Sequence, residues 1–156
     1  MAWEDWEDEQ TAAIWHTVLE VLDEEAQRFR LDRKNEAGIT VTRARWDAPD
    51  IELRWGQGGV ERNIQATVKS SRWPLTIEFS GAVWQDRQRP EGRERRWNSM
   101  PAFSHSYADA ADLRSQVQEQ LTRAYAAVSE LSVAGGSVAA IPPVTSAPRG
   151  RATSAD

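Results

Sequence analysis

The chain has no cysteine and only two histidines, His16 and His105. The absence of cysteine excludes disulfide bonds, thiolate zinc sites and cysteine nucleophiles. A metal site would have to consist mainly of carboxylates, and the sequence predicts neither a metal site nor a cofactor. His16 falls beside the apolar stripe of a predicted helix and His105 at the entrance of another, so neither histidine is predicted to be catalytic.

Long apolar segments are also missing, since no stretch approaches the roughly 18 consecutive apolar residues of a membrane-spanning helix. The N-terminus is acidic where a signal peptide would be basic. We therefore expect a cytoplasmic protein without membrane contact. The sequence contains no G-x-G-x-x-G, Walker, H-E-x-x-H or G-x-S-x-G motif. It therefore favours a non-enzymatic protein over an enzyme, and no catalytic residue is predicted.

The 156 residues suggest one domain. Residues 1–8 form an acidic arm, and residues 9–132 contain all the periodic segments of the predicted domain. Residues 133–156 are rich in Ser, Ala, Pro and Arg without periodicity, which predicts a disordered tail. Charge is segregated along the chain, because residues 1–36 carry a net −7 and residues 37–105 a net +3.

Helical periodicity occurs at both ends of the predicted domain. Apolar residues recur at three- and four-residue steps from Glu9 to Leu31, which indicates one amphipathic helix. A second stripe runs from Leu113 to Leu131. Ser106 and Asp109 have the spacing of a capping box, which predicts the start of this second helix.

Between the helices the apolar period is two, as in β-strands. The predicted strands are residues 39–46, 51–55, 60–69, 73–84 and, at the edge, 93–97. Gly81 predicts either a bulge or the close approach of another element, and Asp86 to Gly92 predict a charged hairpin loop. The alternation leaves one sheet face apolar. The predicted fold is therefore an α+β two-layer sandwich, with a meander sheet of four or five antiparallel strands covered by both helices.

Eight tryptophans are the most informative feature of the composition. By strand or helix parity, the residues predicted to lie in the core are Trp15, Trp55 and Trp73. Trp46 and Trp84 have the opposite parity, which places them on the polar face of the sheet, and Trp97 follows two arginines at the predicted edge. Exposed Trp with Arg is typical of protein-interface hot spots. The predicted partner-binding residues are Trp46, Trp84, Trp97, Arg54, Arg95 and Arg96.

This composition predicts an accessory protein, an adaptor or chaperone-like module that binds another protein through the Trp/Arg face. Two sheet faces paired in a homodimer would also explain the tryptophans. One alternative is a single-stranded nucleic-acid binder that stacks bases on the same face. The net charge of −5 disfavours it, because phosphate binding requires a positive surface. The other alternative is a small-ligand or metal-binding protein with an acidic first helix.

Overall fold

The structure is a computed structural model that describes residues 8–33, 38–45 and 48–141, with the backbone alone at residues 44 and 45. This part of the chain has two helices, seven strands and one short 3₁₀ turn. In chain order they are α1 (Glu9–Asp32), β1 (Thr40–Arg45), β2 (Pro49–Gln57), β3 (Val60–Val68), β4 (Leu75–Arg89), β5 (Gly92–Ser99), β6 (Phe103–Tyr107), α2 (Ala110–Ser129), the 3₁₀ turn (Val133–Gly135) and β7 (Ser137–Ile141). The predicted α+β class is confirmed.

All described strands form one antiparallel sheet with the order β1-β2-β3-β4-β5-β7. β4 is 15 residues long, and β3 pairs along one of its edges. The other edge is shared, because β6 pairs with residues 75–79 and β5 with residues 82–89. β6 and β7 raise the number of strands above the predicted four or five. The predicted loop over residues 86–92 is mostly strand, and the turn is confined to Pro90 and Glu91.

Both helices pack on one face of the sheet, where every second strand residue is apolar. Their buried side chains join those of β2, β3, β4 and β6 in one hydrophobic cluster. Full burial of a Leu, Ile or Phe side chain contributes about 1.5–3 kcal/mol, so this single layer accounts for most of the stabilisation. The predicted core position of Trp55 is confirmed, since its side chain is 7% exposed, whereas Trp15 and Trp73 are partly buried and pack against the cluster.

The first helix begins at Asp8, whose carboxylate accepts a hydrogen bond of 2.7 Å from the backbone N–H of Thr11. Such a cap satisfies one of the amides that the first turn leaves unpaired. Farther along α1, the Trp15 indole N–H donates to the Ser70 carbonyl oxygen at 3.0 Å. That bond fixes the start of the helix to the connection between β3 and β4.

The second helix begins later than predicted, with Asp109 rather than Ser106 as its cap. Asp109 accepts from the N–H of Asp112, and the Asp112 carboxylate accepts from the N–H of Ala108, both at 2.8 Å. Ser106 lies in β6 and pairs with Thr76. Asp109, which was predicted to be the acidic residue of a capping box with Ser106, is itself the N-cap of α2.

Gly81 marks a close approach and not a bulge. The β3–β4 register runs through it without interruption, with Gly81 opposite Ile64. A β-carbon at this position would overlap the Val128 side chain of α2. The absence of a side chain at Gly81 therefore lets the end of α2 lie directly on the sheet.

The predicted disordered tail does not begin at residue 133. Residues 133–135 form the 3₁₀ turn, and residues 137–141 pair with β5. Without β7, the backbone N–H and C=O groups along the outer edge of β5 would lack partners. β7 pairs with them although its composition did not predict a strand. Residues 142–156 and the first seven residues of the predicted arm over residues 1–8 lie outside the described residues. Asp8, the last residue of that arm, is the cap of α1.

Candidate functional site

The sheet face opposite the helices carries polar side chains at alternate positions, and we call it the open face. On β3 these side chains are Glu61, Asn63, Gln65 and Thr67. The buried apolar side chains of both helices belong to the cluster on the other face. Among the described residues, no helix covers the open face.

Two tryptophans lie side by side on the open face. Trp84 on β4 is directly opposite Trp97 on β5, and the same row continues to Glu61 on β3. Both indoles are half-buried. Opposite residues of an antiparallel pair have β-carbons about 4.5–5.5 Å apart, so the two rings form one apolar surface. This arrangement agrees with the parity predicted for Trp84.

Two guanidinium groups flank the Trp84 ring. The Cζ atom of Arg54 is 5.0 Å and that of Arg95 is 5.7 Å from the ring centroid. Both distances are within the range of about 6 Å in which a cation is attracted to the face of an indole. The three side chains therefore support one another, and together with Trp97 we call them the Trp84 surface.

Each arginine is held in place by a carboxylate. Arg95 donates two hydrogen bonds to Asp86, from Nε at 2.7 Å and from Nη2 at 3.0 Å, and these bonds lower the pKa of Asp86. The Nε of Arg54 lies 3.6 Å from a Glu61 carboxylate oxygen. A bidentate contact fixes the guanidinium plane, so Arg95 loses less freedom on binding than an unpaired arginine would.

The Trp84 surface adjoins an open hollow of 470 Å³, whose floor is formed by Asn63 and Ala82. The Asn63 side chain donates to Glu52 at 2.8 Å and accepts from the N–H of Ala82 at 3.0 Å. Because both the nitrogen and the oxygen of its side-chain amide form hydrogen bonds, Asn63 is held rigidly in the floor of the hollow. Glu52 thus pairs with an amide of the neighbouring strand.

Of the six predicted partner-binding residues, Trp84, Trp97, Arg54 and Arg95 come together on the open face. Trp46 lies outside the described residues. Arg96 was assigned to the wrong face. It pairs with Gln85, points away from Arg95, and its Nε lies 3.8 Å from Glu94 on the helix side of the sheet. Neighbours on a strand face opposite sides, so Arg95 and Arg96 cannot share one surface.

Asn63, Ala82 and Asp86 belong to the site but were missed by the sequence analysis. Asp86 was assigned to a loop, and the longer β4 moves it to the open face beside Arg95. Asn63 and Ala82 are brought together only by the register of β3 against β4. Parity did place Asn63 on the polar face, but the sequence gives no sign of its partners.

The open face as a whole is nearly neutral. Its described strand positions and the adjoining Lys69 carry five carboxylates, Asp50, Glu52, Glu61, Glu78 and Asp86, and four cations, Arg54, Lys69, Arg93 and Arg95. Lys69 pairs with Glu78 at 3.5 Å. Glu61 lies against Arg54, and Asp86 against both Arg93 and Arg95. Asp50 and Glu52 accept hydrogen bonds from uncharged side chains. The cations therefore alternate with carboxylates and form no continuous positive track.

The remaining candidates for chemistry are scattered. His105 lies in β6 and contacts the Tyr107 ring at a centroid distance of 4.8 Å. Within the described ranges, no group of three or more His, Asp or Glu side chains is placed to hold a metal ion. A second hollow of 430 Å³ lies beside Trp55 and Tyr125. Its arginine, Arg62, donates to two carbonyl oxygens at the end of α2.

No protein-family model, curated protein or solved structure matches this chain. Among the described residues, no helix is long and apolar enough to cross a membrane.

Proposed function

We propose that this chain is a small, non-enzymatic, cytoplasmic accessory protein that binds another protein through the Trp84 surface. The observation that carries this proposal is Trp84 flanked by Arg54 and Arg95 on a sheet face that no described helix covers. Trp and Arg are the residues most enriched in interface hot spots. Because Asp86 orients Arg95 in advance, little side-chain entropy is lost on binding.

The size of the open face fits a protein partner. With strands about 4.8 Å apart and about 3.4 Å per residue, five strands of roughly nine residues give an area on the order of 700 Å². A stable protein interface takes about 800 Å² from each partner. The half-buried indoles lie within the β4–β5 pair, in the row that is one residue pair from the β2–β3 turn. The charged pairs beside them would form part of the polar rim.

The charge of the open face favours protein over nucleic acid. Binding of single strands needs a groove with net positive charge along the backbone path. Here Glu61 lies against Arg54, and Asp86 binds Arg95. Arg96 faces the other side, and Arg93 shares the Asp86 carboxylate with Arg95. Over the open face as a whole, a phosphate chain would meet five carboxylates and four cations.

Affinity capture from lysate of the source cells, followed by titration of the purified partner, tests this proposal. Wild type is compared with Trp84→Ala and with Arg54→Ala/Arg95→Ala, after circular dichroism has shown that each variant is folded. We expect each variant to weaken the partner's affinity by tenfold or more, since truncation of a hot-spot residue costs about 2 kcal/mol or more.

The matched control is Arg43→Ala/Arg114→Ala, away from the open face. The side chains of Arg43 and Arg114 are 44% and 48% exposed, close to those of Arg54 and Arg95 at 49% and 45%, and each also contacts a carboxylate. The control should bind like wild type. Equal affinity of all variants would refute the proposal, and so would a wild-type homodimer that Trp84→Ala converts to a monomer. Single-strand binding that weakens with salt would favour the nucleic-acid alternative.

A further inference from the structure

β7 contributes almost nothing to the hydrophobic core. Four of its five side chains, those of residues 137–140, are exposed, and Val138 is 50% exposed. It is joined to the rest of the chain through Gly135 and Gly136. β7 is therefore held mainly by the backbone hydrogen bonds of its ladder with β5.

Such a strand is weakly held. The net gain from a backbone hydrogen bond in water is about as large as the entropy lost when one residue is ordered. The net favourable free energy of a strand normally comes from side-chain burial, and β7 buries little side-chain surface. β7 therefore opens at low free-energy cost, and opening exposes the backbone N–H and C=O groups along the outer edge of β5.

The side chains along this edge are positively charged on the open-face side. Arg93 and Arg95 are 48% and 45% exposed and share one carboxylate, Asp86. Two guanidinium groups against one carboxylate leave a net positive charge. The residues of β7 opposite them are Ile141 and Ala139, which are neutral. β7 thus forms hydrogen bonds with the backbone of this edge, but it places no carboxylate opposite Arg93 and Arg95.

From this mismatch we propose that the outer edge of β5 is a strand-addition site for an extended, acidic segment of a partner protein, and that β7 is its built-in competitor. An incoming strand with a carboxylate opposite Arg95 would keep the ladder that β7 makes and add a cross-strand ion pair that β7 lacks. The inference rests on the proposed function, because that segment would belong to the partner bound at the adjoining Trp84 surface.

The test uses the full chain carrying Ala139→Pro and Ala140→Pro, which prevents β7 from pairing. On an edge strand only one of two neighbouring N–H groups points to the partner strand. Replacing both Ala139 and Ala140 by proline, which has no N–H, therefore removes one hydrogen bond of the ladder whichever of the two residues donates it. The probes are a synthetic peptide of residues 136–141 and the same peptide with Ala139→Glu. Peptide binding is followed by nuclear magnetic resonance of the β5 amides, which would form the new hydrogen bonds. The proline variant is needed because β7, as a tethered strand, competes with the peptide at a millimolar effective concentration.

We expect both peptides to shift the β5 amides of the proline variant, and wild type to bind them at least tenfold more weakly. The Ala139→Glu peptide should bind about threefold more tightly than the unsubstituted one. This preference should vanish in high salt or when Arg95→Gln is added to the proline variant. In wild type, the β7 amides should exchange with deuterium much faster than those of β3.

Three results would overturn this inference. The first is failure of the proline variant to fold, which would make β7 a structural strand. The second is the absence of any shift at β5, or equal affinity for the two peptides. The third is a wild-type dimer that the prolines dissociate, which would assign the edge to a second copy of β7.

The same peptides separate this inference from the proposed function. With Trp84→Ala added to the proline variant, peptide binding should persist, because the ladder does not involve the indole. Persistence of peptide binding together with unchanged partner affinity in Trp84→Ala would refute the Trp84 surface alone. Loss of partner affinity in Trp84→Ala without any peptide binding would refute strand addition alone.

Discussion

Gly81 in the middle of β4 lies against Val128 in the last turn of α2. A β-carbon at residue 81 would overlap the Cγ2 methyl of Val128 and come within 2.7 Å of the Asn63 carbonyl oxygen. The next β4 residue, Ala82, and the side chain of Asn63 form the floor of the hollow beside Trp84. The position at which α2 meets the sheet is therefore directly behind the proposed binding surface.

Replacing Gly81 by Ala should lower the free energy of unfolding by about 1–3 kcal/mol, because overpacking forces the backbone or Val128 to move. Urea denaturation measures this change. In Gly81→Ala/Val128→Ala we expect only partial recovery, since the contact with the Asn63 carbonyl remains. Gly135→Ala is the matched control, because a β-carbon there meets no atom within 4 Å. Equal stability of the two single variants would contradict the close approach.

Arg62 should also stabilise the end of α2. Its Nη1 donates to the carbonyl oxygens of Val128 at 2.9 Å and Leu131 at 3.0 Å. The Val128 carbonyl oxygen also accepts from the backbone N–H of Leu131 at 3.1 Å, so Arg62 joins the last turn of α2 to the segment that follows it. A cation at this end of a helix also complements the helix dipole. We expect Arg62→Met to cost about 1–3 kcal/mol and to accelerate amide exchange in the last turn of α2.

Arg87→Met is the control for Arg62→Met, since the Arg87 side chain is exposed and its Nη2 lies 3.5 Å from the side-chain oxygen of Gln85 on the same strand. It should change stability by less than about 0.5 kcal/mol. A loss in Arg87→Met as large as that in Arg62→Met would mean that the effect is one of net charge, not of capping.

The sequence was sufficient for the layers of the fold and for most of the Trp84 surface. Strand parity placed Trp84 correctly because Gly81 introduces no bulge. The same rule shows that Arg95 and Arg96 cannot lie together, so the error at Arg96 came from grouping by sequence proximity instead of parity. Trp46 remains untested, because it lies outside the described residues.

The missed strands depend on pairing between distant segments. β6 has five residues, and its serine matched a helix-capping pattern. β7 has a composition that resembles a linker, and its partner residues on β5 lie 40 to 48 positions earlier in the chain. Strand formation depends on the neighbouring strand more than on local preference. Short strands at a sheet edge are therefore the elements that local sequence patterns predict least well.

Two carboxylates on the open face should respond to pH with opposite sign. Burial raises the pKa of Asp50 above 3.8, although Thr67 and Gln65 donate hydrogen bonds to it. Its native form therefore keeps a proton that the unfolded chain has lost, and its contribution to stability falls as pH rises through the raised pKa. The Arg95 hydrogen bonds lower the pKa of Asp86 below 3.8. Its contribution is complete above 3.8 and is lost as pH falls through the lowered value.

Urea denaturation of wild type, Asp50→Asn and Asp86→Asn between about pH 3 and about pH 7 tests both signs. The stability of wild type relative to Asp50→Asn should decrease as the pH rises. The stability of wild type relative to Asp86→Asn should increase over the same range. Differences that change in the same direction would show that one of the two carboxylates lies in another environment.

The buried pair of Tyr107 and Gln120 should behave as a unit. The Tyr107 hydroxyl donates to the Gln120 side-chain oxygen at 2.8 Å, and the two residues are 0% and 6% exposed. Burial also raises the pKa of Tyr107 above its usual 10.0. The native state then keeps a proton that the unfolded chain loses above that value, so stability should fall as the pH rises beyond about 10.

A double-mutant cycle measures the coupling within this pair. Tyr107→Phe leaves the Gln120 oxygen buried without its donor, and Gln120→Leu leaves the hydroxyl without its acceptor, so each should cost about 1–3 kcal/mol. Tyr107→Phe/Gln120→Leu removes both polar groups and should be less destabilised than the sum of the single variants by about 1–2 kcal/mol. Tyr107→Phe should also lose the extra decline in stability above about pH 10. Additive single losses would mean that the hydroxyl and the amide reach water independently, and that the interface between β6 and α2 is wetter than the structure shows.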